Sequence, residues 1–300
     1  MKRLLYIPLN YHQNSHPALL SAFKLYFNCE QFTTLQAANE FNPHYVYVQS
    51  GAIHPQLLQY VKIQTNAKII QWTGDCRREP LSEVLAYKDI CDLTLLACAI
   101  GQQDMYAPLL PHPVKYWQHA VNQSQFRTVQ TELKQKHIRF IGNSYAHFDG
   151  AVERDLLCKK LTAEFPLFEV WGNGYATGEY RNPDSIPFPK IFDKYNQTYI
   201  SLSSNIFNDI EGYWSNRPLT IMAAGSCCLM RYTPNAENWF TDMEHCVFYK
   251  TEEEAIDKIN YLLAHPDVRN KIAQQGQLLV QEKHTYNYRA HEFKQLLNTI

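Results

Sequence analysis

The sequence lacks the features that mark several large classes of protein. No apolar run approaches the length of a membrane-spanning helix, and the first residues, MKRLLYIPLNYHQ, turn polar too soon for a secretory leader. The eight cysteines form no Cys-x-x-Cys pair and no Cys/His cluster with zinc spacing. The absence of a Gly-x-Ser-x-Gly elbow and of an Asp-x-Asp pair disfavours a Ser/His/Asp hydrolase and a carboxylate-bound metal. We therefore expect a cytoplasmic protein with reduced thiols and no metal site.

Charge of one sign is also lacking, because 28 basic and 29 acidic residues give a formal net charge of −1. This balance argues against a broad basic surface for nucleic acid and leaves only a local patch open. A chain of 300 residues has the length of two domains of about 150 residues each. Its twenty tyrosines offer flat rings with polar tips, which suit both internal packing and contact with sugars or bases.

The first half of the sequence alternates short apolar runs with amphipathic segments. Such alternation predicts a parallel, doubly wound sheet with helices on both faces. The segments expected to form strands are 3–9, 45–50, 68–75 and 92–97, and those expected to form helices are about 17–27, 55–62 and 81–88.

The alternation stops between residues 111 and 135, where prolines at 108, 111 and 113 precede a polar stretch, and it resumes with HIRFIGNS. We therefore predict an N-terminal Rossmann-like domain at 1–115, a second one at 116–285, and a C-terminal helix at 286–300 packing toward the first. A cleft is expected between the loops at the carboxyl ends of the two sheets. In a predicted helix from Val152 to Phe165, Val152, Leu156, Leu157 and Leu161 fall on one face.

The stretch from Tyr199 to Tyr232 predicts a strand, a polar loop, a short helix and another strand. Asn216 has the residue type of an N-cap, Pro218 suits the first helical turn, and Gly225 suits the helix end. Free backbone N–H groups at such a helix start, beside the permanent charge of Arg217, would bind the phosphates of a nucleotide. The alternative is an ordinary capped helix with a surface arginine.

The second half of the sequence resembles a known family. Its motifs are FIGN, VWGNG, YISLSSN and NRPLTIMAAGSCCLM, followed by a Lys-Thr-Glu-Glu-Glu helix start, LLAHPDVRNKIAQQG and EKHTYNYR. This order resembles the GT-B glycosyltransferases, and most closely the CgeB-type branch of the glycosyl transferase group 1 superfamily. The resemblance is strongest over residues 137–291. It implies two Rossmann-like domains, a UDP- or GDP-linked sugar as co-substrate held by the second domain, and an acceptor held by the first.

The resemblance places the donor site at the strand ends of the second domain. Backbone amides and basic side chains there would neutralise the diphosphate without a bound metal or other cofactor. The donor-binding candidates are Gly142, Asn143, Ser144, Trp171, Gly172, Asn173, Ser203, Asn205, Glu211, Asn216, Arg217 and Thr220.

Thr220 departs from the family pattern. The family usually has Asn-Arg-x-Phe-Glu at this point, and the glutamate commonly binds the ribose hydroxyls of the donor. This chain has Asn-Arg-Pro-Leu-Thr, and the shorter, neutral threonine makes at most a single hydrogen bond. Donor binding is then weaker, shifted to a neighbour such as Glu211, or lost.

Catalytic and acceptor-binding candidates lie in the first half. Asp75, at the end of the WTGD strand, is our candidate base for the acceptor hydroxyl, with an Asx-turn or helix-cap role as the alternative. His12 is a second catalytic candidate in the first strand-to-helix loop. His16 in the same loop, Arg77 after WTGD and His112 in LPHPV are candidates for binding the acceptor or, for Arg77, an anionic group.

Three functions compete on this evidence. The first is transfer of a sugar from a nucleotide diphosphate to the hydroxyl of a glycan or small molecule. The second is a non-catalytic nucleotide- or glycan-binding module on the same scaffold, which the missing glutamate favours. The third is a glycosyltransferase acting on modified bases in DNA, which would need a local basic stripe and salt-dependent binding. The sequence gives no indication of the oligomeric state.

Overall fold

A computed structural model describes residues 1–9, 16–97, 99–132, 138–145, 147–175, 179–180 and 185–300. This part of the chain divides into two compact units. Unit 1 contains Met1–Ala120 and Thr285–Ile300, and unit 2 contains Val121–His284. No helix among the described residues is long and apolar enough to cross a membrane.

Strands and helices alternate through most of the chain, as the sequence pattern predicts. The strands are β1 (Arg3–Ile7), β2 (Asn28–Gln31), β3 (Tyr45–Gln49), β4 (Lys68–Thr73), β5 (Leu93–Leu96), β6 (Val114–Tyr116), β7 (Ile138–Ile141), β8 (Phe168–Trp171), β9 (Ile200–Ser203), β10 (Cys227–Arg231) and β11 (Val247–Tyr249). The helices are α1 (His16–Phe23), α2 (Leu35–Phe41), α3 (Pro55–Thr65), α4 (Ser82–Leu85), α5 (Gln103–Tyr106), α6 (Asp149–Glu164), α7 (Phe188–Asn196), α8 (Arg217–Ala223), α9 (Glu252–Ala264), α10 (Pro266–Lys283) and α11 (Tyr286–Leu296).

Unit 1 is built on a six-stranded parallel sheet in the order β2-β1-β3-β4-β5-β6. Successive side chains of a strand point to opposite faces, so each strand contributes to two cores. Tyr6 of β1 and Tyr47 of β3 belong to the core that contains α1 and α11, where the Phe293 ring lies 5.8 Å from that of Tyr47. Leu5 and Val46, one residue earlier on each strand, belong to the core that contains α2 and α3.

Unit 2 repeats this plan with a five-stranded parallel sheet in the order β11-β10-β9-β7-β8. One core packs this sheet against α6 and α9, and the other packs it against α7, α8 and α10. Helix α10 approaches closely at Gly276, because a Cβ atom there would lie 2.3 Å from the carbonyl oxygen of His245. The predicted fold class, two doubly wound parallel-sheet domains, is confirmed within the described residues.

Three elements of unit 1 are absent from the predicted set. Strand β2 has the sequence Asn-Cys-Glu-Gln, and only Cys29 is buried in this edge strand, so no apolar pattern marks it. Helix α2 is short, and its N-cap Thr34 accepts a hydrogen bond from the Ala37 amide. Strand β6 follows directly on Pro113, within the proline-rich stretch that marks the predicted domain boundary.

Two of the four residues predicted for the buried face of α6 are exposed instead. Val152 and Leu156 are 47% and 50% exposed. The face of α6 that packs on the sheet carries Ala151, Arg154, Leu157, Cys158 and Leu161. A charged residue lies within this buried stripe, so hydrophobicity alone selects the wrong set of positions.

Candidate functional site

The sheet order of unit 2 defines where a ligand would lie. The chain leaves β7 toward β8 on one side, whereas β9 lies on the other side of β7. Ligands of open parallel sheets bind outside the carboxyl ends of the strands, where the strand order reverses in this way. In unit 2 this switch point lies beyond Ile141, the last residue of β7, and Ser203, the last residue of β9.

Arg217 binds to both strand ends at the switch point. Its Nε donates to the carbonyl oxygen of Ile141 at 2.9 Å, and its Nη1 donates to that of Ser204 at 2.7 Å. Its Nη2 makes no hydrogen bond within the described residues. This nitrogen lies 2.6 Å from the point that a Cβ atom of Gly142 would occupy, so only glycine leaves room for the guanidinium. Arg217 therefore joins the ends of β7 and β9.

A second arginine, Arg154 on α6, lies beneath the same loop. It is 2% exposed, and its Nη2 donates to the carbonyl oxygen of Asn143 at 2.8 Å. The guanidinium carbons of Arg154 and Arg217 each lie 5.0 Å from the centre of the Phe140 ring. The Nε of Arg154 is buried with no hydrogen-bond partner in the described chain. Burial, and then the charge of Arg217, hold the pKa of Arg154 below its ordinary value.

Neither arginine has a carboxylate partner among the described residues. A buried cation without a counter-charge is unfavourable, and a bound anion would relieve that cost. Guanidinium groups also bind phosphate oxygens with strong, charge-assisted hydrogen bonds. The arginine pair, Arg154 and Arg217, thus places two cations at the switch point.

The predicted amide cradle at Gly142–Ser144 is largely occupied by the neighbouring loop. The Gly142 amide donates to Trp171 O at 2.8 Å, and the Ser144 amide donates to Asn173 O at 2.9 Å. In return, the Asn173 amide donates to Asn143 Oδ1 at 3.0 Å. The pairing of β7 with β8 continues past both strands, so these amides are not available to a phosphate. Our expectation for them is corrected accordingly.

The start of α8 also offers fewer donors than the sequence suggested. Asn216 occupies the N-cap position, but its backbone is helical, with φ −68°, and its side chain caps no amide. The Arg217 amide lies 3.4 Å from Ser215 Oγ, and Pro218 has no amide hydrogen. Thr220 is buried and its hydroxyl donates to Asn216 O at 3.0 Å, so it is engaged with its own helix.

The other donor candidates shape the loop after β9 or lie beyond it. Ser203 is fully buried, and its Oγ has no partner within the described residues. The buried side chain of Asn205 donates to Tyr213 O at 3.3 Å and accepts from the Ser215 amide at 3.4 Å. Glu211 is exposed, and its Oε1 accepts from Asn235 Nδ2 at 2.7 Å.

The Trp171 ring is already engaged within unit 2. Its Nε1 donates to Glu169 Oε2 at 3.3 Å, and Lys194 Nζ lies 4.7 Å from the ring centre. The ring packs against the core formed with α7, α8 and α10. Gly172 has φ +149°, and a Cβ atom there would lie 2.1 Å from the carbonyl oxygen of Gly142. Gly172 therefore permits the close contact between the loops after β7 and β8.

The catalytic and acceptor candidates of unit 1 lie partly outside the described residues. His12 is among the residues that are not described. His16 begins α1, but its side chain is not described. Asp75 lies beyond β4, and its exposed carboxylate accepts from Arg77 Nη2 at 3.1 Å. Arg77 Nη1 also donates to Cys76 O at 2.7 Å. Asp75 and Arg77 thus form an exposed ion pair at the carboxyl edge of the unit 1 sheet.

The structure places His112, a predicted acceptor contact, at the other edge of the unit 1 sheet. His112 lies two residues before β6, and its Nε2 is 2.7 Å from the hydroxyl of Thr94, the second residue of β5. This position is at the amino ends of the parallel strands, opposite to the edge where ligands of such sheets bind. The Pro-His-Pro stretch leads directly into β6, and no apolar pattern in the sequence marks that strand.

We expect His112 to make folding stability dependent on pH. Burial holds the pKa of His112 below its ordinary value, so the unfolded chain binds the proton first as pH falls. Stability should therefore be fully present above a pH of about 6.5 and should decrease below it. Urea unfolding of His112→Asn between pH 7.5 and 5 should show a smaller decrease than that of the parent. Equal slopes in the parent and in His112→Asn would contradict this account.

Comparison with solved structures shows the same architecture in other proteins. Sucrose-phosphate synthase from Thermosynechococcus elongatus matches with a TM-score of 0.66 and 8% identity, over 100% of this chain and 99% of that one. HepE from Anabaena, in complex with UDP-glucose, matches with a TM-score of 0.69 and 9% identity over 100% of both chains. A glycosyltransferase from Rickettsia africae matches with a TM-score of 0.64 and 11% identity, over 98% of this chain and 97% of that one. At these identities the likeness shows the fold.

The sequence itself decides the class of enzyme. Residues 154–295 match the family model described as glycosyl transferase-like. This match covers most of unit 2, and together with the shared fold it supports a glycosyltransferase of GT-B architecture. No protein in the curated set matches its sequence. The predicted fold and enzyme class are thereby confirmed. The roles of the individual site residues stay predictions.

The glycosyltransferase has one candidate residue that the sequence analysis missed. Arg154 shares a buried helical stripe with Ala151, Leu157 and Cys158, at spacings of three and four residues. That spacing was the available signal, since a basic residue inside an otherwise apolar stripe either has a buried partner or serves a site. The described residues hold no cluster of three or more His, Cys, Asp or Glu side chains that could bind a metal ion.

Proposed function

We propose that this glycosyltransferase transfers a sugar from a nucleotide diphosphate to the hydroxyl group of an acceptor, and that unit 2 binds the donor. The observation that carries the proposal is the arginine pair at the switch point, which is without carboxylate partners among the described residues. HepE, which shares the fold, was solved with UDP-glucose, and this makes UDP the first nucleotide to test.

The reaction would proceed with a balanced exchange of bonds. The bond between the anomeric carbon and the terminal phosphate oxygen breaks, and its electron pair stays on the diphosphate. The acceptor oxygen forms the new bond to the anomeric carbon and gives its proton to a base. The diphosphate gains negative charge as it leaves, so the free nitrogen of Arg217 and the fixed charge of Arg154 favour this step. Two guanidinium groups would supply this charge without a metal ion.

The candidates for the base and for binding the acceptor lie in unit 1. Asp75 remains our candidate base, because it is exposed at the carboxyl edge of the unit 1 sheet. Arg77 holds the Asp75 carboxylate and would orient it, or would bind an anionic group of the acceptor. A glycan or a small molecule is the acceptor class we favour. A cytoplasmic location is part of the proposal, because the spacing of the cysteines in the sequence shows no disulfide framework.

Donor binding should raise the melting temperature of the protein. Titration with UDP-, GDP-, ADP- and CMP-sugars would be followed by thermal unfolding, with the unphosphorylated nucleosides as controls. A ligand at 100 times its Kd stabilises a protein by about 2.7 kcal/mol, which corresponds to a shift of several degrees. We expect a shift with one nucleotide-diphosphate sugar and none with its nucleoside. The absence of a shift with every sugar nucleotide would contradict the proposal.

A non-catalytic binding module is the second candidate, and the position of Thr220 favours it. The Thr220 hydroxyl is committed to Asn216 O, so it does not replace the ribose-binding glutamate expected from the family pattern. Such a module would show the thermal shift without transfer or donor hydrolysis. Release of free nucleoside diphosphate during incubation with the donor therefore distinguishes the two functions.

A further inference from the structure

The loop after β8 contains a chemically reactive pair of residues, Asn173 and Gly174. Both are exposed, and this is the one place in the sequence where glycine directly follows asparagine. Asparagine is labile in proteins because the backbone nitrogen of the next residue can attack its side-chain amide. A following glycine favours this attack, since it has no Cβ atom to obstruct the approach. The sequence therefore marks this pair as a place where the chain can be modified.

The structure leaves both reacting groups free. The Gly174 amide and the Asn173 side chain make no hydrogen bond within the described residues. The Asn173 backbone is held on both sides, because its amide donates to Asn143 Oδ1 at 3.0 Å and its carbonyl oxygen accepts from the Ser144 amide at 2.9 Å. The attack turns the peptide group between Asn173 and Gly174, and this gives up the hydrogen bond from Ser144. Loss of one exposed hydrogen bond slows the attack by about 10-fold at most.

The loop after β7 contains a second pair of this kind, Asn143 and Ser144, which the fold locks. The Ser144 amide, which would have to attack, donates to Asn173 O. The Asn143 side-chain oxygen accepts from the Asn173 amide, and its carbonyl oxygen accepts from Arg154 Nη2 at 2.8 Å. Attack at Asn143 would break all three hydrogen bonds, which slows the reaction by about 100-fold or more. The structure therefore directs this chemistry to Asn173.

We propose that Asn173 is a site of spontaneous modification in the folded protein, that it converts to aspartate and isoaspartate, and that the conversion weakens the donor site. The Gly174 nitrogen forms a bond to Asn173 Cγ, the bond from Cγ to Nδ2 breaks, and ammonia leaves with the proton of the glycine amide. Water then opens the resulting succinimide ring at either of its carbonyl groups. One opening gives aspartate, and the other gives isoaspartate, in which the main chain runs through Cβ and Cγ.

Both products change the contact between the loops after β7 and β8. Each carries a carboxylate where Asn173 was neutral, and isoaspartate also adds one carbon atom to the main chain. The new charge lies across from Asn143, whose carbonyl oxygen accepts from Arg154 in the candidate donor site. A negative charge there opposes the binding of a diphosphate. This consequence rests on the proposed function, whereas the modification itself does not.

Incubation of the full chain in mildly alkaline buffer, followed by tryptic digestion and mass spectrometry, tests the modification. The tryptic peptide 161–181 contains Asn173 as its one amide side chain, and the peptide 140–154 contains Asn143 as its own. Replacement of ammonia by water increases the mass of a peptide. We expect peptide 161–181 to gain this mass progressively and to become a substrate of an isoaspartyl methyltransferase, while peptide 140–154 keeps its mass.

Unfolding in urea shows how much the fold protects each residue. Conversion of Asn173 should accelerate by less than about 10-fold in urea, and conversion of Asn143 should accelerate by about 100-fold or more. If Asn173 keeps its mass in the folded protein and converts only in urea, the proposal is wrong. Conversion of Asn143 as fast as that of Asn173 in the folded protein would also overturn it.

The matched control for the modification is Asn173→Gln. Glutamine keeps an amide side chain and leaves the backbone hydrogen bonds of residue 173 in place, but its ring closure needs one more atom and is slower. Peptide 161–181 of this variant should keep its mass over the same incubation. The same mass gain in the variant would show that Asn173 is not the modified residue.

Calorimetric titration with UDP and GDP tests the effect on the donor site. Protein converted at Asn173 should bind its preferred nucleotide ~10-fold more weakly than fresh protein, and Asn173→Asp, which adds the charge without the extra main-chain atom, should show a smaller loss. Equal affinities of fresh and converted protein would refute this effect. If fresh protein binds neither nucleotide, the proposed function and the effect on the donor site are both wrong, and the mass gain still decides whether Asn173 is modified.

Discussion

Replacement of Arg217 by alanine is expected to lower kcat/KM for the donor by about 10²- to 10³-fold, the range measured when a donor to developing negative charge is removed. Arg217 supplies the guanidinium nitrogen nearest to the space beyond Gly142. It also holds the ends of β7 and β9 through the carbonyl groups of Ile141 and Ser204. The substitution therefore removes a ligand for the diphosphate and loosens the loops around it.

Two further measurements separate these effects. The carbonyl groups of Ile141 and Ser204 lose their charged donor, and each is expected to cost about 1–3 kcal/mol in the free energy of unfolding. Activity is therefore compared at a temperature at which both proteins are fully folded. Arg217→Lys keeps the charge but not the planar fork, and we expect it to retain partial activity with reduced stability. Arg217→Ala with the kcat/KM of the parent would refute the placement of the donor site.

Replacement of Gly172 by alanine is expected to cost about 3 kcal/mol or more in the free energy of unfolding. Gly172 has φ +149°, where a side chain is strained, and its Cβ atom would lie 2.1 Å from Gly142 O and 2.6 Å from Gly142 C. Both atoms belong to the backbone, so the two loops must separate. Their separation would break the hydrogen bonds from the Gly142 and Ser144 amides. It would also move the Gly142 backbone relative to the Arg217 guanidinium.

Gly174 provides a matched control in the same loop. It also has a positive φ, +87°, but a Cβ atom there would lie 3.1 Å from its nearest neighbour, Ser144 O. Gly174→Ala therefore carries conformational strain with a smaller clash, and we expect a loss of about 1–2 kcal/mol. Urea unfolding of both variants, together with UDP binding, tests this difference. Equal losses of stability would show that the contact between Gly172 and Gly142 has no special role.

The alternation of strands and helices was predictable because it depends on local patterns. Apolar runs such as 45–50 and 199–203 marked parallel strands, and Gly225, with φ +77°, follows α8 as predicted. Edge elements were less predictable. Strand β2 buries only Cys29 and is held by its pairing with β1, which lies more than twenty residues earlier in the chain. The stability of such a strand comes from pairing with its neighbour, so its own amino-acid composition hardly indicates a strand.

In the candidate site, the positions of the residues were predictable, but their hydrogen-bond partners were not. Residue types placed Gly142, Asn143 and Arg217 near the strand ends, where the structure has them. The partners of these residues were not predictable, because they come from other strands. The Gly142 and Ser144 amides donate to the carbonyl groups of Trp171 and Asn173 at the end of β8, and Arg217 donates to carbonyl groups of β7 and of the segment after β9.

Two parallel α/β units and the glycosyltransferase class were predictable from the amino-acid sequence, because periodic burial and family motifs are properties of short segments. Which polar groups are hydrogen-bonded within the protein, and which remain for a ligand, depends on how distant segments pack together. In the folded protein the Thr220 hydroxyl donates to Asn216 O in its own helix. His112 lies beside Thr94, at the amino ends of the strands of its sheet. The fold also leaves Arg154 buried without a carboxylate partner among the described residues, since hydrogen bonds and charge compensation join residues that are distant along the chain.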